Sequence, residues 1–422
     1  MTDRQQQTPT ACGGGRRASS EWNATLVRAL VLLALWLLPC PAQDKPGSKE
    51  EDEVAKALVD PFTGGDVAVL KAAGLCAYGP FAWADSKRTT DVDRVLGENR
   101  VLWLETKHFR LGSNLRSVGW PEDGDERKFL IEELKALRKL LPKVPEKPKR
   151  FDPWLRLHLY AQRCEKAYHQ FQQLVGHTDA DFAAPGAGPY LGMPDKLLVL
   201  LFQKQSDMVR YMDRFCGRKD DTSLRFWHEK SQQMSLTVNV EGFEGMTEFG
   251  LHGHVVHAMW HNLINGYNAF KYPMPLWLGE GIAHWYSRKL PSEFLNVQIK
   301  DDEAVAEDKQ ANWPLKVRRR AQHDGVCFPF QKMVEWVKWD EMGYHAHAQA
   351  WSRVDYLMQK DPAKLGLLLR KVKSVPSDGT YEGQAAQIRS LALQLLQELY
   401  DLDPAGFDLK WREWVLKTYP KK

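Results

Sequence analysis

His257 and His261 stand four apart in the run LHGHVVHAMWHNL. On a helix that spacing puts both imidazoles on one face, one turn apart, where together they can grip one metal ion. After eighteen intervening residues comes Glu280, in LWLGEGIAHWY. A second helix there brings a carboxylate as third ligand and leaves a fourth position for water, which is the ligand count of a catalytic zinc site rather than a structural one. The competing reading is a histidine-rich helix packed in a core, with Glu280 near a helix start, where acids are favoured.

The helix boundaries are written in the chain. Thr247 is a capping residue and Asn265-Gly266 a stop for the first helix. Pro275 opens the second, and Arg288 and Lys289 close it before Pro291. His284 follows Glu280 by four and shares its face, so it is expected to orient that carboxylate or line the cleft. His254 precedes His257 by three, as an extra ligand, a substitute base or a solvated side chain; His252 points elsewhere on the helix.

His-x-x-x-His followed by Trp-Leu-x-Glu-Gly-x-Ala, with eighteen residues between the second His and the Glu, resembles the gluzincin metallopeptidases. LWLGEGIA is similar to the second motif of the membrane-alanyl aminopeptidase family, although the aminopeptidase Gly-x-Met-Glu-Asn motif is missing. The resemblance is sharp over some forty residues, and from Arg100 to Lys417 the order of strands and helices is similar to the smaller secreted peptidase MA-like proteins of bacteria. It implies an α+β, zincin-like fold: a small mixed sheet, an active-site helix pair and a C-terminal helical lobe. It implies one zinc ion on His257, His261 and Glu280, and an extended peptide or protein as the partner in the cleft. The half-buried strand before the ligand helix, with Leu236, Val238 and Val240 alternating against polar residues, becomes the edge that pairs with substrate backbone. Tyr344, His345 and His347 open a later helix, where Tyr344 is the candidate to stabilise a transition state.

One departure outweighs the matches. In the family's His-Glu-x-x-His the glutamate takes a proton from zinc-bound water, and that position is Ala258 here. A positioned acid or base contributes about 10²- to 10⁴-fold in rate, and a methyl group supplies none of it. The expectation is a zinc-binding homologue impaired in catalysis. The alternatives are a working peptidase that uses His254, or Glu244 or Glu248 from upstream, as base, and a metal-free interaction scaffold.

The remainder reads as scaffold and export. Arg4, Arg16, Arg17 and Arg28 precede the apolar run Ala29 to Leu38, ten residues long. That suits a signal peptide over residues 1–42, cut after Ala42, and falls far short of the ~20 residues of a membrane span. Pro39 before Cys40 fits a lipid-anchoring box poorly. Removing four basic and two acidic groups takes the net charge from +4 to +2. The densest basic run, Lys143 to Arg150, is broken by proline, so a nucleic acid is not the expected partner. Cys76, Cys164, Cys216 and Cys327 allow one or two disulfides, or buried free thiols.

The expected organisation is an N-terminal extension or small subdomain over 43–99, the metallopeptidase-like domain over 100–300 and the helical lobe over 301–422. Within it, VLWLETKHFRLG reads as a strand or hairpin, Phe129 to Leu141 and Trp154 to Val175 as helices, and Leu197 to Phe202 as a central strand. The sixteen tryptophans are packing residues, among them Trp260, Trp277 and Trp285 on the site helices.

Overall fold

The computed structural model describes residues 56–182, 188–243, 246–270, 274–291, 312–376 and 380–422. The expected signal peptide, including Cys40 and Ala42, and the upstream Glu244 lie outside the described residues. Residues 57–422 form one compact unit, of mixed α+β class.

Its frame is a six-stranded sheet built from β1 (Ala77–Tyr78), β4 (Leu102–Glu105), β5 (Phe109–Ser113), β6 (Leu197–Phe202), β7 (Leu224–His228) and β8 (Gln233–Asn239). The order across the sheet is β1-β4-β5-β6-β8-β7. β5, β6 and β8 run parallel, while the strands at either end pair antiparallel. β2 (Ala82–Trp83) and β3 (Lys87–Arg88) make a separate small ribbon.

Helices cover both faces, which explains the unbroken apolar run of β6. Leu197, Val199 and Leu201 enter the main core, while Leu198, Leu200 and Phe202 enter a second core on the other face. The second core is closed by α2 (Thr89–Leu96) and α5 (Gln205–Cys216); α1 (Val67–Ala72) packs into the main one through Leu70. A strand buried on both faces reads as continuous hydrophobicity. The same cover corrects the reading of β8. Leu236 and Val238 are buried in the main core, and the polar residues between them are buried too. Ser235 pairs with His228 at 3.0 Å and Asn239 donates to the Met208 sulfur at 3.3 Å. Alternation here records two covered faces, not one wet face. Nor is β8 an edge: it lies between β6 and β7, so Leu236, Val238 and Val240 are not at the sheet's rim, and the rim falls to β7.

α3 (Gly124–Leu140) and α4 (Pro153–Val175) follow the expected periodicity. Asp152 caps α4, Pro153 starts it, and Gly176 ends it in the left-handed region at φ 63°. The border expected at 99/100 runs through one sheet, since Tyr78 pairs with Leu104. The Asp60 carboxylate, 1% exposed, ties the N-terminal segment to α4 through His158 at 2.9 Å and accepts from Tyr78 of β1 at 2.5 Å.

The site elements are α6 (Glu248–Gly266) and α7 (Leu276–Ser287), backed by α8 (Trp313–Ala321), α9 (Phe330–Glu335), α10 (Tyr344–Lys360), α11 (Pro362–Lys373), α12 (Tyr381–Tyr400) and α13 (Pro404–Thr418). Residues 301–311, at the head of the expected lobe, lie outside the described residues. The four cysteines stand as free thiols. No helix among the described residues is long and apolar enough to cross a membrane.

Candidate metal centre

Thr247 caps α6 by accepting a hydrogen bond from the Gly250 amide at 3.0 Å. The helix then runs buried on nearly every side, as expected of a helix apolar all round. Trp260 stacks on Tyr286 of α7 with ring centroids 3.4 Å apart. Gly281 lets α7 approach α10: a Cβ there would fall 2.5 Å from Val354 Cγ2 and 2.6 Å from the Ala350 carbonyl oxygen. These contacts bring side chains from three helices to one carboxylate.

That carboxylate is Glu280, 2% exposed. His261 Nε2 lies 2.7 Å from its Oε1. Around Oε2 stand His347 Nδ1 at 3.0 Å, His284 Nε2 at 3.2 Å and His257 Nε2 at 3.7 Å. His284 Nε2 and His347 Nδ1 are themselves 3.0 Å apart. All four imidazoles are buried.

The electrostatics suit a metal. Burial alone would raise the Glu280 carboxyl, but the imidazoles around it, led by His261, hold it well below the usual range. Burial pushes His257 well below its ordinary value, with His284 adding to the effect, and lowers His261, with Arg225 adding to it. Burial brings His284 to about 4 against the pull of Glu280. An ionised carboxylate among neutral imidazoles is the protonation state that a metal requires of its ligands.

Two observations on fit share Glu280 and differ in the imidazoles that join it. Among the described residues, one group offers three donor atoms all within 4.8 Å of one another: His257, Glu280 and His284. His284, expected to orient the carboxylate or line the cleft, is thus itself placed to be a ligand. Hydrogen bonding selects differently. The 2.7 Å approach of His261 to Glu280 is not aligned as a hydrogen bond, and His261 Nε2 and Glu280 Oε2 are buried atoms without a hydrogen-bond partner. His284 Nε2, by contrast, is engaged by His347. Buried polar atoms without partners carry a cost of about 1–3 kcal/mol each, which a shared ion would relieve.

The other expected residues fall as follows. Ala258 is 6% exposed and packs into the main core. His254 lies one turn before His257, half-buried, its ring 5.0 Å from Phe243. Glu248 is withdrawn from any role as base: two arginines clamp it, Arg156 at 2.6 Å and Arg163 at 3.0 Å. Tyr344 opens α10, where its hydroxyl accepts from Lys316 Nζ at 3.1 Å. The residue that α10 brings onto Glu280 is His347. Sequence places it in the right stretch but gives no reason to prefer it to Tyr344. Arg225 carries no motif at all, yet its charge reaches His261 and Glu280 from β7.

Compared with family models and with curated proteins, the chain matches none.

Proposed function

We propose that the chain is a zinc-binding pseudopeptidase: a metallopeptidase-like fold that holds one zinc ion on His257, His261 and Glu280 and binds an extended peptide or protein without cleaving it. The observation that carries this reading is the convergence of His257, His261 and His284, buried and held neutral by that burial, on an ionised Glu280, with the free His261 nitrogen among them and Ala258 where a proton acceptor would be needed. His284 and His347 position Glu280 from behind. Zinc in such a site polarises a carbonyl or a bound water, and this chain supplies no described carboxylate to take the proton away. β7, as the last strand of the sheet, offers the rim along which an extended segment can pair.

The test is zinc content and cleavage in the purified full chain, beside His257→Ala, His261→Ala, His284→Ala and Ala258→Glu. The reading expects about one zinc per chain, lost in the first two variants and retained in His284→Ala. It expects a peptide library left uncut by wild type and cut by Ala258→Glu. Zinc lost only in His284→Ala moves the third ligand to that residue. Wild-type cleavage that disappears in His257→Ala points to a working peptidase, with His254 as the base to test. A chain without zinc in any form points to a metal-free scaffold.

A further inference from the structure

The strand at the sheet's rim carries a cation that no described residue pairs. Arg225 lies opposite Leu236 of β8, and facing residues across an antiparallel pair share a face, so Arg225 stands on the same side of the sheet as α6. Its guanidinium lies 5.6 Å over the ring of Trp339, which is 40% exposed. The Trp339 ring in turn lies 5.7 Å from the ring of His261, edge to face. Among the described residues the guanidinium of Arg225 has neither an ion pair nor a hydrogen bond.

This is an unusual state for a half-buried arginine. A charge removed from water costs several kcal/mol unless it is paired, and stacking on an aromatic face returns about 0.5–2 kcal/mol. The cost is visible in the group itself, since burial lowers the Arg225 pKa and Glu280 only partly restores it. Glu280 is occupied by imidazoles and is not within ion-pair distance. A divalent ion beside it makes the local excess of positive charge larger, because one carboxylate and neutral imidazoles leave a zinc site net positive.

We propose that Arg225, held over Trp339, is a carboxylate-recognition point beside the metal, so that the ligand bound along β7 presents either its C-terminal carboxylate or an acidic side chain there. The assignment rests on the peptide-binding reading only for the identity of that ligand; the anion site stands on the unpaired guanidinium. Arginine's planar fork fits a carboxylate through two parallel hydrogen bonds. Trp339 covers one side of the guanidinium with an aromatic face, 5.6 Å away.

Calorimetric titration of the zinc-loaded full chain with succinate and, separately, with uncharged succinamide at one ionic strength reads the site without any peptide. Succinate binds and succinamide does not; Arg225→Gln weakens succinate at least tenfold with zinc content unchanged, and Arg225→Lys falls between the two. Should Arg225→Gln not fold, Arg225→Lys and Trp339→Ala carry the comparison. Equal succinate affinity in wild type and the Arg225 variants, or none in wild type, overturns the proposal. Hexapeptides with free or amidated C-termini, and with Glu or Gln inside, then tell the two sources apart. Succinate bound but no peptide bound removes the peptide reading and leaves the anion site standing.

Discussion

His347 Nδ1 lies 3.0 Å from Glu280 Oε2, and the same nitrogen is 3.0 Å from His284 Nε2, so a helix of the C-terminal region completes the environment of the candidate metal-site carboxylate. Groups behind a ligand fix its orientation, and their loss costs about 10- to 100-fold in metal affinity. His347→Ala is therefore expected to weaken zinc by that factor while the far-ultraviolet spectrum stays native. Competition against a chromogenic chelator measures it. Unchanged affinity would show that Glu280 is held well enough by His284 alone.

Gly281 is the point at which α7 and α10 touch. Gly281→Ala places a methyl group 2.6 Å from the Ala350 carbonyl oxygen, a backbone atom that cannot swing aside. Overpacking of this kind costs about 1–3 kcal/mol. Because His347 rides on α10, the separation of the helices also draws it from Glu280. Urea unfolding and zinc titration are expected to shift together in this variant. A change in stability with zinc affinity unaltered would show that the helices part without moving His347.

Glu248 joins α6 to α4. Its oxygens take Arg156 at 2.6 Å and Arg163 at 3.0 Å, and Arg163 also holds Glu133 at 2.8 Å. Removing one partner of a buried ionic network leaves charge uncompensated and costs about 3–5 kcal/mol. Glu248→Gln is expected to lower the unfolding free energy by an amount of that order, with zinc stoichiometry near native in the fraction that folds. A stable Glu248→Gln variant that alters hydrolysis of Ala258→Glu would return this carboxylate to the chemistry.

These residues mark where sequence suffices and where it does not. The two site helices were legible because their signals are local: Thr247 and Pro275 start them, and a four-residue spacing sets His257 beside His261. β6 was legible because Leu197 to Phe202 is apolar on both faces. Strand order was not, since it depends on β7, whose LRFWH shows no alternation, and on whether Ser235, Thr237 and Asn239 meet water or Met208 and His228. Polar residues satisfied inside a protein look in sequence like polar residues outside it. His347 and Arg225 reach the site through tertiary packing alone, so their neighbours in the chain say nothing of Glu280.

The acid side of the stability curve of the metal-free protein should carry the signature of the site. His284 titrates near 4 in the folded chain against an ordinary 6.5, and His257 and His261 are lowered as well, chiefly by burial. Between those values the unfolded chain binds protons that the folded chain refuses, so stability rises with pH there. It is fully present above about 6.5 and is lost as pH falls toward 4. Glu280, held well below 4.5, extends the loss further into acid. His228, also pushed down to about 4 by burial, contributes its own part of the slope and is common to all variants. In chelator-treated protein the urea midpoint is expected to fall from pH 6.5 to 4.5, and less steeply in His284→Gln, which removes one titrating group. Zinc should hold the midpoint level until protons displace it from its ligands. Equal slopes in wild type and His284→Gln would mean that His284 is as readily protonated in the folded chain as in the unfolded one, and that the imidazoles around Glu280 are not held neutral by burial.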